Sequence, residues 1–242
     1  MIGLGTIINV VAIIIGGLLG LFLGRSVKVR YQDILMNSVG ISIMILGIGG
    51  AMEKMLSVTL ENGTLVSGGS MMMIITMALG ALVGEWMNIE KKMEYFGVWL
   101  KKKTGSGGDH AFVDAFVTCS LTVCIGAMAI VGSIKDGIYG DYSILAAKAI
   151  LDLIIVFVMT VSMGKGCVFS AIPVGIFQGV VTFLARLIQP LMTEAALANL
   201  SLVGSIMIFC VGLNLVFGKK VKVANFLPAI VFAVAWSFAP WA

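Results

Sequence analysis

Lys148 and Asp152 are the residues whose types and spacing predict chemistry most directly. They lie four residues apart inside the apolar run 142–163, so a helix places both side chains on one face. At 1.5 Å per residue from Tyr142, Asp152 lies about 15 Å deep, near the middle of a bilayer. A charge there costs roughly 2.5–3.5 kcal/mol to insert. The pair therefore predicts either a site for a cation, a proton or a charged solute, or an ion pair that only fixes helix packing.

The sixth apolar run contains SAIPVGIFQG, which predicts a broken helix. Pro173 cannot donate to the helix ladder, and Gly175 weakens the same turn. In lipid a freed carbonyl needs a partner, so such a break belongs inside the bundle or beside water. Ser170 and Gln178 supply polar side chains there, and Gln178 is predicted to line a cavity. A simple proline kink is the alternative.

Two further polar residues are candidates for contact with a solute or an ion. Asp114 lies near the start of the fourth apolar run, whose small residues permit either close packing or local unwinding. Asn9 in the first run could contact a solute or form an interhelical hydrogen bond. The glycines at 16, 20 and 24 predict a packing face, either within the protomer or between the protomers of a homo-oligomer.

Composition places these residues in a membrane protein. The chain is 60% hydrophobic and 12% charged, against about 25% charged residues in soluble domains. The net charge of +4 reflects lysines beside a membrane rather than a nucleic-acid surface. We predict an all-α, polytopic helical protein, with residues 1–242 as one integral membrane domain.

Eight apolar runs are long enough to cross a bilayer, and their basic flanks set the orientation. If all eight cross, twelve basic residues lie on one side, which the positive-inside rule assigns to the cytoplasm, and both termini lie outside. Changing the count by one would scatter these charges. The runs are 2–24, 34–52, 70–87, 111–134, 142–163, 167–188, 199–217 and 224–240. The twelve residues are Arg25, Lys28, Arg30, Lys91, Lys92, Lys101, Lys102, Lys103, Lys165, Lys219, Lys220 and Lys222.

The crossings also contain a pattern typical of an internal repeat. SIMILGIG at 42–49 and SIMIFCVG at 205–212 share five of eight residues, and the first and sixth runs align without gaps. Crossings 1–3 and 6–8 would then be an inverted repeat around a central pair, an arrangement suited to alternating access. Chance likeness between apolar segments is the alternative.

Residues 88–103 are too charged to cross, and their apolar residues recur at helical spacing with lysines opposite. This pattern predicts an amphipathic helix on the cytoplasmic surface.

No metalloprotease, nucleophile-elbow or phosphate-binding motif occurs, and the four cysteines show no CxxC spacing. We therefore expect no enzymatic activity, no cofactor and no metal site.

Several segments resemble a known family. CIGAMAIVGSIKDGIYGDYSIL, KAILD, SAIPVGIFQG, GLNL and VANFLP, with GTIIN near the start and the EW pair at 85–86, resemble the bacterial membrane proteins grouped as domain of unknown function 554, the YqgA/YdfK-like proteins. The likeness covers essentially the whole chain. It implies a multi-pass protein of the bacterial plasma membrane, and it carries over no activity and no catalytic or binding residue.

From the residues we expect a secondary transporter of a small solute or ion, with Asp152 binding a coupling proton or cation or neutralising a cationic solute. The alternatives are an oligomeric membrane module that binds a partner without transporting, or a channel.

Overall fold

A computed structural model describes residues 2–24, 27–58, 65–106, 108–109 and 111–239. The chain is almost entirely helical, as the apolar runs predict. Its elements are α1 (Leu4–Gly24), α2 (Val29–Met55), β1 (Leu56–Val58), β2 (Leu65–Ser67), α3 (Ser70–Met87), α4 (Ile89–Lys103), α5 (Phe112–Cys124), α6 (Ala127–Tyr139), α7 (Ser143–Met163), α8 (Ala171–Phe183), α9 (Ala185–Ile188), α10 (Glu194–Phe217) and α11 (Leu227–Trp236). Short 3₁₀ helices cover Lys165–Ser170, Gln189–Leu191 and Val223–Phe226. Arg25 and His110 lie outside the described residues.

Six of the described helices are long and apolar enough to cross a membrane, and α5 with α6 would make a bent seventh. The last apolar segment, Val223–Trp236, is shorter. Large apolar side chains cover the outside of these helices, including Phe22 and Trp86, which are 78% and 84% exposed. Such a surface suits lipid rather than water, so the chain is a helical membrane protein. The count of eight crossings stays a prediction.

Close contacts at glycines fix the relative directions of the helices. α1 and α7 run side by side in the same direction, because Gly5 contacts Leu145, Gly16 contacts Leu153 and Gly24 contacts Val161. The predicted glycine face of α1 therefore packs within the protomer, and at Gly16 a methyl group would lie only 2.4 Å from the Leu153 carbonyl oxygen. Small residues let backbones approach this closely.

α2 and α3 each pack against a late helix of the chain, in the opposite direction. Gly40 contacts Gly212 while Gly47 contacts Ser205 and Phe209, so α2 and α10 are antiparallel. These contacts lie within or beside the two matching octapeptides. α3 and α11 are antiparallel too, with Gly80 against Ala229. Two of the three predicted repeat pairs thus pack on each other, although the repeat itself stays a prediction.

The predicted break in the sixth crossing is wrong. α8 continues through Pro173 and Gly175, and Pro173 is its third residue, where a helix amide has no intrahelical partner to lose. The carbonyl of Phe169 accepts a bond from the Ala171 amide as the preceding 3₁₀ helix ends. The break lies in the fourth crossing instead, at residues 125–126 between α5 and α6.

α4 confirms the predicted amphipathic helix at nearly the predicted bounds. Its buried face includes Glu90, Gly97 and Leu100, and it packs against α5 and the 3₁₀ helix Val223–Phe226. Trp99 is 51% exposed and stacks on Phe96. The sequence did not predict the hairpin of β1 and β2, in which Leu56 pairs with Ser67.

Candidate functional site

A discontinuity in the fourth predicted crossing lies beside the buried Lys148–Asp152 pair. α5 and α6 differ in direction by 62°. Gly126 joins them with φ 150° and ψ 147°, a conformation that residues with a side chain rarely adopt. The Leu121 carbonyl still accepts a hydrogen bond from the Ile125 amide. Because α5 ends here, the carbonyl oxygens that follow Leu121 lack their usual partners in the next turn.

Lys148 supplies a partner for one of these carbonyls and holds Asp152 at the same time. Its Nζ donates to the carbonyl oxygen of Val123 at 2.8 Å and lies 2.7 and 2.5 Å from the two Asp152 carboxylate oxygens. Asn9 Nδ2 donates to Asp152 Oδ2 at 3.0 Å. Lys148 is 6% and Asp152 3% exposed. The ion pair therefore ties α1 and α7 to the end of α5 inside the protein.

Asp136 forms a second buried polar contact, which sequence reasoning missed. Its carboxylate accepts hydrogen bonds from the amides of Gly3 at 3.2 Å and Gly5 at 3.0 Å, and the side chain is fully buried. The carboxylate thus caps the start of α1, where the helix dipole favours negative charge. Because the fourth apolar run was predicted to end at 134, Asp136 looked like a charge at the membrane boundary. α6 in fact continues to Tyr139.

Asp114 lies apart from the pair, on a cavity of about 230 Å³ at the opposite end of the molecule from Asp136. The cavity is lined by polar residues, including Glu90, Thr118 and Lys219, and by apolar ones such as Leu121. Asp114 has no hydrogen-bond or ion-pair partner among the described residues. Leu121 is two residues before Val123, so the cavity reaches the turn of α5 next to the Lys148 contact.

The segment after α10 closes this end of the molecule through ion pairs with α3 and α4. Lys219 contacts Glu94 and lies 3.2 Å from Glu90, and Lys222 lies 2.7 Å from Glu85. Asn225 accepts from the Glu90 amide at 2.7 Å. Partial burial favours the neutral amine of Lys219, but its bonds to Glu94 and Glu90 outweigh this effect and raise the pKa of Lys219 above its ordinary value.

The six candidate residues therefore fall into separate places. Asn9, Lys148 and Asp152 meet at the break, and Asp114 lies on the cavity. Ser170 is buried near the start of α8, where its hydroxyl lies 3.5 Å from Cys119 Sγ. Gln178 is fully buried, and neither polar atom of its side chain has a hydrogen-bond partner among the described residues. No metal-binding group of three or more His, Cys, Asp or Glu side chains occurs in the described part of the chain.

The helices and the buried pair define a polytopic membrane protein with a charged, discontinuous interior. The chain belongs to the family described as "Protein of unknown function (DUF554)", which matches residues 4–238. It is 28% identical to "Uncharacterized membrane protein YdfK" of Bacillus subtilis, over 93% of this chain and 92% of that protein. It is 29% identical to "Uncharacterized protein YqgA" of Escherichia coli, over 98% of this chain and 97% of the relative. No solved structure matches the chain.

Proposed function

We propose that this protein is a secondary transporter that moves a small solute or ion across the bacterial cytoplasmic membrane. The observation that carries the proposal is the Lys148–Asp152 pair bonded to the end of a discontinuous helix. Transporters commonly place their sites at such breaks, where half-helix ends and freed carbonyls are available near the midplane. A buried pair kept only for packing would be replaceable by apolar residues at little or no loss of stability.

The mechanism follows from the shared contacts of Lys148. While Asp152 is ionised and empty, it holds Lys148, and Lys148 holds the carbonyl of Val123. When Asp152 binds a proton or a cation, its attraction for Lys148 falls. The Lys148 side chain is then no longer held in place by Asp152, so its hydrogen bond to the Val123 carbonyl can break. α5 and α6 are then free to change their angle at Gly126. Binding at Asp152 is thereby coupled to movement of the fourth crossing.

The test uses proteoliposomes that contain a pH-sensitive dye or are exposed to steps in Na⁺ or K⁺ concentration on a supported membrane. We expect proton or cation movement above that of protein-free liposomes. Asp152→Asn should lower the initial rate by about tenfold or more, equivalent to at least 1.4 kcal/mol of lost interaction. Asp33→Asn is the matched control, since Asp33 is an exposed residue of α2. Unchanged flux in Asp152→Asn across pH would remove Asp152 from the mechanism.

A non-transporting membrane module is the second candidate, because Lys148 is fully engaged by Asp152 and Val123, as in a structural pair. In that case the double variant Lys148→Met/Asp152→Leu should keep both fold and function. A channel, the third reading, would give single-channel currents instead of saturable uptake.

A further inference from the structure

Beyond the ion pair, the interior contains a layer of buried polar side chains without partners. Thr6 Oγ1, Ser133 Oγ and both polar atoms of Gln178 make no hydrogen bond with any described residue, and neither does Asn9 Oδ1. Thr6 is 9% exposed, while Asn9, Ser133 and Gln178 are fully buried. Buried polar groups are almost always bonded, so several together indicate a bound species that satisfies them.

Packing contacts place these side chains at one level of the bundle. Gly17 contacts Val168 and Gly175 contacts Val10, so α1 and α8 are antiparallel, and this register puts Gln178 beside Thr6 and its neighbour Ile7. Gly137 contacts Thr182, and both α6 and α8 end near the start of α1, since Asp136 bonds the Gly3 and Gly5 amides and α8 is antiparallel to α1. The two helices therefore run in the same direction, which puts Ser133, one turn before Gly137, at the level of Gln178. Asn9 follows Thr6 by three residues, about 4.5 Å along α1.

The charges on either side of this layer favour a cation over a water molecule. Asp136 is one helical turn beyond Ser133, and among the described residues its buried carboxylate bonds only the Gly3 and Gly5 amides, with no cationic side chain. Asp152, on the other side, is already shared between Lys148 and Asn9. Buried charges normally have a counter-charge. The partial positive charge at the N-terminal end of the α1 helix dipole balances only about half of the negative charge on the Asp136 carboxylate.

We propose that this layer, formed by Thr6, Asn9, Ser133 and Gln178, binds a small monovalent cation, with Na⁺ as the ion to test. The layer offers four neutral side-chain oxygens, a ligand type that suits a hard cation, with a carboxylate nearby to balance its charge. Carboxylate clusters of the kind that hold divalent ions are not needed for such a site. Binding here does not require that the protein transports, so the two proposals can fail separately.

The experiment measures binding of ²²Na⁺ to the purified full-length protein in detergent, together with thermal unfolding in NaCl and in choline chloride at equal ionic strength. Na⁺ should bind saturably and raise the melting temperature, because a ligand that binds only the folded state stabilises it. Gln178→Leu and Ser133→Ala should each weaken Na⁺ binding by about tenfold, the effect of losing one good ligand contact. Ser162→Ala is the matched control: its hydroxyl is also buried without a partner, but it lies in the last turn of α7.

Two results would overturn this site. If the wild-type protein binds no ²²Na⁺ and melts alike in both salts, the layer holds only water. If binding occurs but is unaffected by Gln178→Leu and Ser133→Ala, the cation lies elsewhere. Folding of the variants is checked by their melting in choline chloride. Removal of an unbonded polar group should not lower that temperature when the cation is absent. Na⁺ binding without any flux would leave this site standing and contradict only the transport proposal.

Discussion

At the scale of single residues, the Lys148–Asp152 pair contributes to stability only while both partners are present. Each ion has lost its water, and the attraction between them together with the bonds to Val123 and Asn9 replaces it. Removing one partner leaves an uncompensated charge among apolar neighbours. Removing both leaves no buried charge, only a loss of hydrogen bonds and a change of shape.

We therefore expect Asp152→Leu to lower the free energy of unfolding by about 3–5 kcal/mol. Lys148→Met/Asp152→Leu should recover most of this loss, and thermal or denaturant unfolding in detergent micelles measures both. Lys54→Met is the control, since the Lys54–Glu53 pair is largely exposed and should contribute at most about 1 kcal/mol. A double variant as unstable as the single one would mean that the pair is required for folding itself.

The sequence predicted the pair but not its surroundings. Spacing of four residues on one helix is enough to place Lys148 beside Asp152. The contacts of Lys148 with Val123 and of Asn9 with Asp152 join residues 25 and 143 positions apart, so only the packed helices bring them together. Asp136 was missed for the same reason, because its partners are the amides of Gly3 and Gly5, which lie 133 and 131 positions away in the sequence.

At the scale of the elements, Gly126 determines where the fourth crossing bends. An added Cβ at Gly126 would meet nothing within 4 Å, so its backbone conformation, rather than space, requires glycine. The sequence pointed to Pro173 instead, because proline removes a helix donor wherever it occurs. In the first turn of α8 that donor has no partner to lose, so proline there interrupts nothing. A glycine at a break looks, in the sequence, like any of the other small residues of that run.

Gly126→Ala should lower the free energy of unfolding by about 1–3 kcal/mol, since alanine cannot readily adopt φ 150° and ψ 147°. Gly179→Ala is the matched control, because Gly179 lies inside α8 and also has open space around it. That change should be neutral or stabilising by about 0.5–1 kcal/mol. Equal melting temperatures for the two variants would indicate that the connection between α5 and α6 relaxes into a continuous helix. That result would exclude a hinge at Gly126.

At the scale of the whole molecule, the helix contacts are compatible with the predicted inverted repeat, which stays a prediction. α2 packs antiparallel on α10, and α3 on α11, while α1 lies along α7 and α8 lies along α6. α6 and α7, which belong to the predicted fourth and fifth crossings, thus each pack against the first helix of one predicted repeat unit. The two crossings differ in one respect, since the fourth is bent at Gly126 and α7 is continuous. The sequence analysis noted the likeness of 42–49 to 205–212, but it predicted neither the packing of α2 on α10 nor this difference, which depends on the conformation of a single residue.

The same contacts argue that α5 and α6 together form one crossing. Gly166 contacts Phe112 near the start of α5, and Gly137 contacts Thr182 near the end of α6. The bent pair therefore proceeds along the single span Lys165–Phe183 from one end to the other, rather than returning to its starting side. If the span Lys165–Phe183 crosses the membrane, the loops at the two ends of the bent pair lie on opposite faces, and the positive-inside rule then predicts that the lysine-rich end of α4 lies in the cytoplasm.

This assignment predicts the labelling of single cysteines by a membrane-impermeant maleimide, in a variant whose four native cysteines are replaced by alanine. Asp141→Cys, in the loop between α6 and α7, should react in intact cells. Lys102→Cys, at the end of α4, should react only after the cells are permeabilised, and labelling of both variants in permeabilised cells is the control. The reverse pattern would invert the predicted orientation and, with eight crossings, would place both termini in the cytoplasm. Labelling of both positions from the same side would make α5 and α6 a re-entrant loop, because no other membrane-length apolar segment separates residues 102 and 141.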